Sequence, residues 1–374
     1  MPCLVADDLT PEQIKAFRLV DNKTNELATW DFSLLEKELL DLQGFVDMQV
    51  FDFDLHDIAE ANKATEFQEK SGDGTTLAER FGVPPFSILD KAKGYWQDRK
   101  QKWLAIGLNP QNGRDDDLIG GMKGLAERLG SNTLTGTSMF DPVLCEIMYS
   151  WFCPHEGIVL DPFAGGAVRG VVAHKLGFTY YGNDLRREQI NDNYIIGQRL
   201  CGDNVPNWTC GDSTEIFDIM DGREFDFVFT CPPYADLEVY SDLPEDLSNM
   251  PYDEFLTAYR KIIAESVKML KNDRFAAIVV GDIRDKKGFY RDFISDTKAA
   301  FKDSGMQLYN ELILVEPVAT GALRADAQFS TNRKVVKRHQ NVIVFYKGDP
   351  KNIKVHFSPV YVGNIDEITQ GADE

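Results

Sequence analysis

From Ile158 to Tyr346 the chain alternates short runs rich in β-branched and aromatic residues with longer stretches of helical periodicity. The runs are IVLDPF (Ile158–Phe163), TYYGND (Thr179–Asp184), NWTC (Asn207–Cys210), DFVFTC (Asp226–Cys231), FAAIVVGD (Phe275–Asp282), ELILVEP (Glu311–Pro317) and NVIVFY (Asn341–Tyr346). Branched and aromatic side chains suit a pleated surface, whereas apolar residues recurring three and four positions apart suit one face of a helix. Strands that alternate with helices pair in parallel, because a parallel connection has to cross the sheet and a helix makes that crossing compactly. The pattern therefore predicts an α/β chain with a doubly wound, mainly parallel sheet. No crossover helix is read between the last two runs, which predicts that the final strand enters antiparallel.

The 374 residues exceed what one core usually holds, so a single large domain with a smaller preamble is expected. The division read from composition is a helical, acidic region with a linker over 1–75, a catalytic domain over 76–350 and a tail over 351–374. A net charge of −20 excludes a protein that holds polyanions through its overall field. Residues 1–80 carry 18 acidic and 7 basic side chains, so any polyanion site must be local and downstream. No apolar run reaches the length of a membrane span or a signal peptide, and a cytoplasmic protein without a membrane partner is expected. The six cysteines form no C-x-x-C pair, so reduced thiols and no metal site are expected.

Helical spacing covers 11–42, with Pro11 able to start a helix and Ile14, Phe17, Leu19, Leu34, Leu35, Leu39 and Leu40 as the apolar set. The segment Phe17–Leu39 is similar to the helical end of ParB-like N-terminal domains, which in phage and bacterial proteins sit ahead of a DNA methylase. Residues 43–75, with Asp47, Asp52, Asp54 and Asp57 and then SGDGTT at Ser71–Thr76, read as a solvated linker. From Phe81 to Trp103 the composition changes. Phe86, Tyr95, Trp96 and Trp103 interleave with Lys91, Lys93, Arg99, Lys100 and Lys102. Two readings fit that mixture: a nucleic-acid surface, or an amphipathic helix with its tryptophans in the core.

The first run leads into DPFAGGAVRG, where Ala164, Gly165, Gly166 and Ala167 let a ligand approach the strand-to-helix turn. Open α/β sheets bind nucleotides at such turns, although the spacing departs from the pyrophosphate-binding G-x-G-x-x-G. Asp184 ends the next strand, where a carboxylate can accept hydrogen bonds from a ribose diol. Asp212 follows the third, in CGDS. Either Asp can instead be a helix N-cap.

The fourth strand closes on Thr230-Cys231-Pro232-Pro233-Tyr234. Two prolines in succession remove two backbone donors and impose an extended path, which fixes the direction of the carbonyls and of the tyrosine ring. An amine conjugated with its ring is a poor nucleophile. Hydrogen bonds from its N–H groups to the carbonyls of Cys231 and Pro232 would redirect its lone pair, and Tyr234 could stack on a base flipped out of the helix.

These two loops together resemble the amino-methyltransferases of DNA, with their D-P-F-x-G-x-G-like and [DNS]-P-P-[YF] motifs, over about 81–348 and in the gamma-type order. The resemblance implies a Rossmann-like fold and S-adenosylmethionine as cofactor, held by Asp161, Pro162, Phe163, Ala164, Gly165, Gly166, Asp184, Asp212 and Ser213. It places Thr137 and Phe140, in TSMFDP (Thr137–Pro142), over the methionine end of the cofactor. Cys231, Pro232, Pro233 and Tyr234 would form the catalytic loop. Cys231 stands where the family has Asp, Asn or Ser, so its acceptor role would pass to the Pro232 carbonyl or to Thr230. The loop is nearest to the T-S-P-P-Y form of cytosine-N4 enzymes, which favours cytosine N4 over adenine N6. A cytosine-C5 nucleophile would need a Pro-Cys-Gln pattern that is absent.

Double-stranded DNA is the expected partner. Its phosphates would meet Arg324, Arg333, Lys334, Lys337 and Arg338, which face only Asp326 within 322–340. Asp282, Arg284 and Asp285, after the fifth strand, fit either a base pocket or salt-bridged loop packing. Rival readings of the whole are methylation of an RNA guanine amine or a protein amide, and a DNA-binding adaptor without catalysis.

Overall fold

The computed structural model of the protein describes residues 10, 13–14, 32–42, 45, 81–108, 140–234, 241–316 and 321–360. It separates into two compact units, Met1–Gly82 and Val83–Glu374. In the first, helix α1 (Phe32–Leu42) buries Leu35, Leu39 and Leu42, spaced so that they share one face. Most of the ParB-like stretch, the acidic linker apart from Phe45, and residues 361–374 of the expected tail lie outside the described residues.

The second unit holds an eight-stranded sheet among the described residues. In chain order its elements are β1 (Ile88–Asp90), α2 (Gly94–Ala105), α3 (Pro142–Phe152), β2 (Ile158–Asp161), α4 (Val168–Lys175), β3 (Thr179–Asp184), α5 (Arg187–Cys201), β4 (Asn207–Cys210), β5 (Phe225–Thr230), α6 (Tyr252–Met269), β6 (Leu270–Val280), α7 (Phe293–Asp303), β7 (Gln307–Val315), α8 (Gly321–Asn332) and β8 (His339–Lys347). The spatial order is β1-β7-β8-β6-β5-β2-β3-β4. Only β8 runs against its neighbours, β6 and β7. The expected Rossmann-like sheet with an antiparallel last strand is therefore what folds.

Two features correct the sequence reading. The last connection does contain a helix, α8, rich in strong helix formers such as Ala322, Leu323, Ala325 and Ala327. It lacks a broad apolar stripe, so its period is faint in the sequence. Strand β1 was also unread: three residues pair in parallel with β7, Leu89 opposite Leu314, and extend the sheet at its edge.

All six residues of β5 are buried, as befits a central strand covered on both faces. Phe227 and Phe229 pack with Trp96, Trp103 and α3, while Leu160, Val228 and Ile278 pack with Phe255, Tyr259 and Ile262 of α6. The buried positions of α6, from Phe255 to Met269, fall on one face, with Asp253 and Glu254 in its first turn and Lys268 in its last, matching the helix dipole.

The chain winds outward through β2, β3 and β4, then returns to place β5 on the other side of β2. At that reversal the connections leave in opposite directions, and the strand ends open a crevice.

The basic and aromatic stretch from Phe81 to Trp103 resolves in favour of packing. Trp96 and Trp103, two turns apart on one face of α2, are fully buried. Arg99 forms an ion pair with Glu146 on α3, to which the Trp103 indole also donates at 3.0 Å. Lys91 binds Glu316 at 2.8 Å, and Lys100 lies 3.6 Å from Asp141. These cations join α2 and β1 to the rest of the sheet.

Candidate cofactor and substrate site

A cavity of about 350 Å³ lies over the carboxyl ends of β2, β3, β4 and β5, within the range of small-molecule sites. Pro162, Phe163, Gly165 and Gly166 line it from the first loop, Asp184 from the end of β3, Asp212 and Ser213 from the loop after β4, and Cys231, Pro232, Pro233 and Tyr234 from the loop after β5. Phe140 lines it as well, its ring beneath the Arg169 guanidinium at 4.5 Å. Residues as far apart in the sequence as Phe140 and Tyr234 thus meet in one space.

Asp161 and Ala164 do not line the cavity; both are fully buried. One oxygen of Asp161 accepts from Thr230 Oγ1 at 2.6 Å and the other from Arg169 Nε at 2.5 Å and Tyr180 OH at 2.7 Å. Arg169 also donates to the carbonyls of Phe163 and Ala164 at 2.5 and 2.9 Å. The side chain that opens the cofactor motif therefore acts from behind the loop, fixing its path and joining it to the end of β5. Thr230 is fully buried with its hydroxyl turned to Asp161, so it cannot take over an acceptor role for Cys231 within the cavity.

Gly165 has φ of 50°, and a Cβ there would have no atom within 4 Å. The loop needs that left-handed turn, which glycine adopts without strain. The Gly165 N–H donates to Asp184 Oδ2 at 3.0 Å, and its carbonyl accepts from Asn193 at 2.7 Å. Asp184 Oδ1 accepts from the Arg186 N–H at 2.9 Å. Burial nevertheless raises the Asp184 carboxyl above the ordinary carboxylate range, against these hydrogen bonds. A carboxylate so short of solvent gains from further donors, and a ribose diol supplies two.

Asp212 is both a wall of the cavity and an N-cap, accepting from the Thr214 N–H at 2.9 Å and the Thr214 hydroxyl at 2.7 Å. The Ser213 hydroxyl donates to the Pro162 carbonyl at 2.6 Å and ties the loop after β4 to the first loop. Pro232 is buried, and Tyr234 packs at the edge of the core cluster that contains Phe255 and Tyr259.

Thr137 lies outside the described residues. Arg333, Lys334, Lys337 and Arg338 do not line the cavity. Arg324 lies within α8. Lys337 reaches toward the loop that holds Tyr234: a Cβ built on Gly281 would stand 3.6 Å from its Nζ and 4.0 Å from the Tyr234 hydroxyl. Arg338 donates to the Glu316 carbonyl at 3.0 Å, and the Arg333 guanidinium lies 5.2 Å from the centre of the Phe329 ring. Asp282, Arg284 and Asp285 stay outside the cavity, and Arg284 and Asp285 organise a turn.

Sequence reasoning missed Arg169 and the wall built by Lys91, Asp141 and Glu316. A lone arginine in the otherwise apolar start of α4 was the available signal for the first. The second joins residues up to 225 positions apart and left none.

No family model and no curated protein matches the chain. Solved structures similar to it include TrmN from Thermus thermophilus, 14% identical over 56% of this chain and 49% of that one, with a TM-score of 0.37. The chain thus spans about half the length of TrmN. Another is magnesium protoporphyrin IX methyltransferase (ChlM) from Synechocystis PCC 6803 with bound SAM, at 12%, 66% and 90%, with a TM-score of 0.36. A third is the SAM-dependent methyltransferase from Agrobacterium tumefaciens, at 13%, 58% and 66%, with a TM-score of 0.38. At such identities the likeness concerns the α/β fold alone.

Proposed function

We propose that the chain is an S-adenosylmethionine-dependent methyltransferase that modifies an exocyclic amino group of a flipped base in double-stranded DNA, with cytosine N4 as the favoured target. The observation that carries this reading is the shared cavity: the glycine loop, Asp184 and Asp212 form one end, and Cys231–Tyr234 forms the other. The donor set fits the cofactor. Asp184 is a desolvated acceptor suited to the ribose hydroxyls, Asp212 suits the adenine amino group, and Gly165 leaves open space where a side chain would stand.

Bound there, S-adenosylmethionine supplies a methyl group made electrophilic by its sulfonium. The chain's own residues prepare the acceptor. The carbonyls of Cys231 and Pro232 accept the amine N–H groups, which withdraws the nitrogen lone pair from conjugation and aims it across the cavity. Tyr234 stacks on the base and holds it out of the duplex, a contact worth about 1–3 kcal/mol. After transfer the nitrogen is far more acidic, and the same carbonyls hold its proton until water removes it.

Nucleoside mass spectrometry of DNA from cells expressing the chain, compared with Tyr234→Ala, tests this. N4-methylcytosine is expected with the parent and at least a tenfold lower level with Tyr234→Ala, while S-adenosylhomocysteine affinity is nearly unchanged. N6-methyladenine would move the target to the other base. Unmodified DNA from cells whose protein binds S-adenosylhomocysteine would overturn DNA as the substrate.

A further inference from the structure

After β6 the chain turns back on itself through RDKKGFYR (Arg284–Arg291), a segment with four basic side chains against one acidic in a chain of net charge −20. The turn is held from several sides. Asp285 N–H donates to the Phe289 carbonyl at 2.8 Å, Phe289 N–H to Asp285 Oδ1 at 2.9 Å, and Arg284 to the Gly288 carbonyl at 2.8 Å. Gly288, at φ of 94°, permits the reversal, and Arg284 pairs with Tyr290 across the hairpin. Arg284 also covers the Tyr290 ring at 3.9 Å.

Phe289, at the tip, does the opposite of its neighbour. It is 71% exposed and makes no ring or cation contact among the described residues. A single large apolar side chain in water is ordinary; here it stands on a hydrogen-bonded turn with Lys286 and Lys287 exposed beside it, and that combination suits a partner. The local charge says that this partner is a polyanion.

The hairpin also stands close to the loop that follows β5. It begins three residues after Gly281, the glycine that lies against the Tyr234 hydroxyl and Lys337 Nζ. Three residues of extended chain place its base within about 11 Å of Gly281. On its outer side, a Cβ on Gly288 would stand only 2.6 Å from Lys334 Nζ, so the hairpin and the basic segment before β8 form one surface.

Resting on the reading of the site given above, we propose that the Arg284–Arg291 hairpin is a DNA wedge: Phe289 enters the base stack of the duplex and occupies the space vacated by the flipped base, while Lys286, Lys287 and Lys334 meet the flanking phosphates. Flipping unstacks a base at a cost of a few kcal/mol, and an inserted ring replaces the lost stacking from inside the helix.

Insertion unwinds DNA at any sequence, so closed-circular plasmid relaxed by a topoisomerase in the presence of the full chain reads it directly. The parent and Phe289→Trp shift the topoisomer distribution; Phe289→Ala does not. Phe289→Ala also lowers kcat/KM for plasmid methylation roughly tenfold or more, while Phe289→Trp restores it and S-adenosylhomocysteine affinity stays at the parental value. Parental unwinding and methylation by Phe289→Ala would overturn the wedge and leave the methyltransferase reading standing. A parent chain that transfers no methyl group to DNA would overturn that reading instead, and the wedge falls with it unless a topoisomer shift persists and depends on Phe289.

Discussion

Asp161, at the end of β2, and Lys337, just before β8, are both withdrawn from water without lining the cavity, and they are compensated differently. Asp161 is fully buried, and both its oxygens accept hydrogen bonds from Thr230, Arg169 and Tyr180. Lys337 is half-buried, and burial pulls its ammonium below the ordinary lysine range, with Asp282 offsetting only part of the loss. The first-loop side is assembled in advance around the buried Asp161–Arg169 pair, while Asp184 on the cavity wall keeps capacity for further donors. Around the segment before β8 compensation is partial: Asp282 offsets part of the loss at Lys337, and the Glu316 carbonyl engages Arg338. A preassembled wall positions a small ligand without reorganisation, whereas a partly compensated surface keeps attraction for a large one.

The strongest attack on this contrast removes one partner of the buried pair. Arg169→Met leaves Asp161 as an uncompensated buried charge, and Asp161→Asn does the same to Arg169. Each should lose about 3–5 kcal/mol of folding stability in urea denaturation. Losses near those of a surface substitution would mean that the cofactor wall is not preassembled by this pair.

A smaller effect is expected at Asp184. Asp184→Ala should cost about 1.5–3 kcal/mol of S-adenosylhomocysteine binding by calorimetry. The pH dependence sharpens the point. Only the ionised carboxylate accepts from both ribose hydroxyls, and burial raises its pKa in the folded protein. As pH falls through that raised value the acceptor is lost, so affinity should begin to weaken above the pH at which an ordinary aspartate titrates. In Asp184→Asn this acid limb should vanish; its persistence would assign the titration to another group.

The smallest effect per residue belongs to the substrate side. Each phosphate contact contributes roughly 0.9 to the slope of log affinity against log salt. Replacing Arg333, Lys334, Lys337 and Arg338 together by Gln should flatten the slope by up to about 3–4 and weaken all DNA sequences alike. The full drop would show all four reaching phosphate, including Arg338, which the Glu316 carbonyl already engages. An unchanged slope would move the electrostatic contact to Arg284, Lys286 and Lys287, which the same measurement on Gln variants of that hairpin would reveal.

The sheet was legible because strand and helix periods are local; the antiparallel β8 was expected from a missing crossover helix, and it pairs that way although α8 stands in the connection. The loops around Gly165 and Pro232 were legible for a related reason: glycine and proline announce their backbone demands in the sequence itself. Strand β1 was not, since three residues carry no period and its pairing with β7 is more than 200 positions distant. The tryptophans of α2 fitted two readings until α3 supplied Glu146 for Arg99 and Trp103, because a basic helix looks alike whether its charges meet phosphate or carboxylate.

By itself, then, the sequence determined the α/β alternation and which short motifs carry backbone geometry that a nucleotide and a flat amine could use. Those properties depend on residues within one turn or one strand of each other. Tertiary structure decided which way each charge points. It turned Asp161 and Thr230 inward to bind Arg169 and each other, left Asp184 on the cavity wall, tied Lys91 to Glu316, and left Phe289 in solvent beside a basic surface. A side chain's charge is written in its own letter, but its partner is set by desolvation and contact between segments far apart in the chain, which only the folded packing brings together.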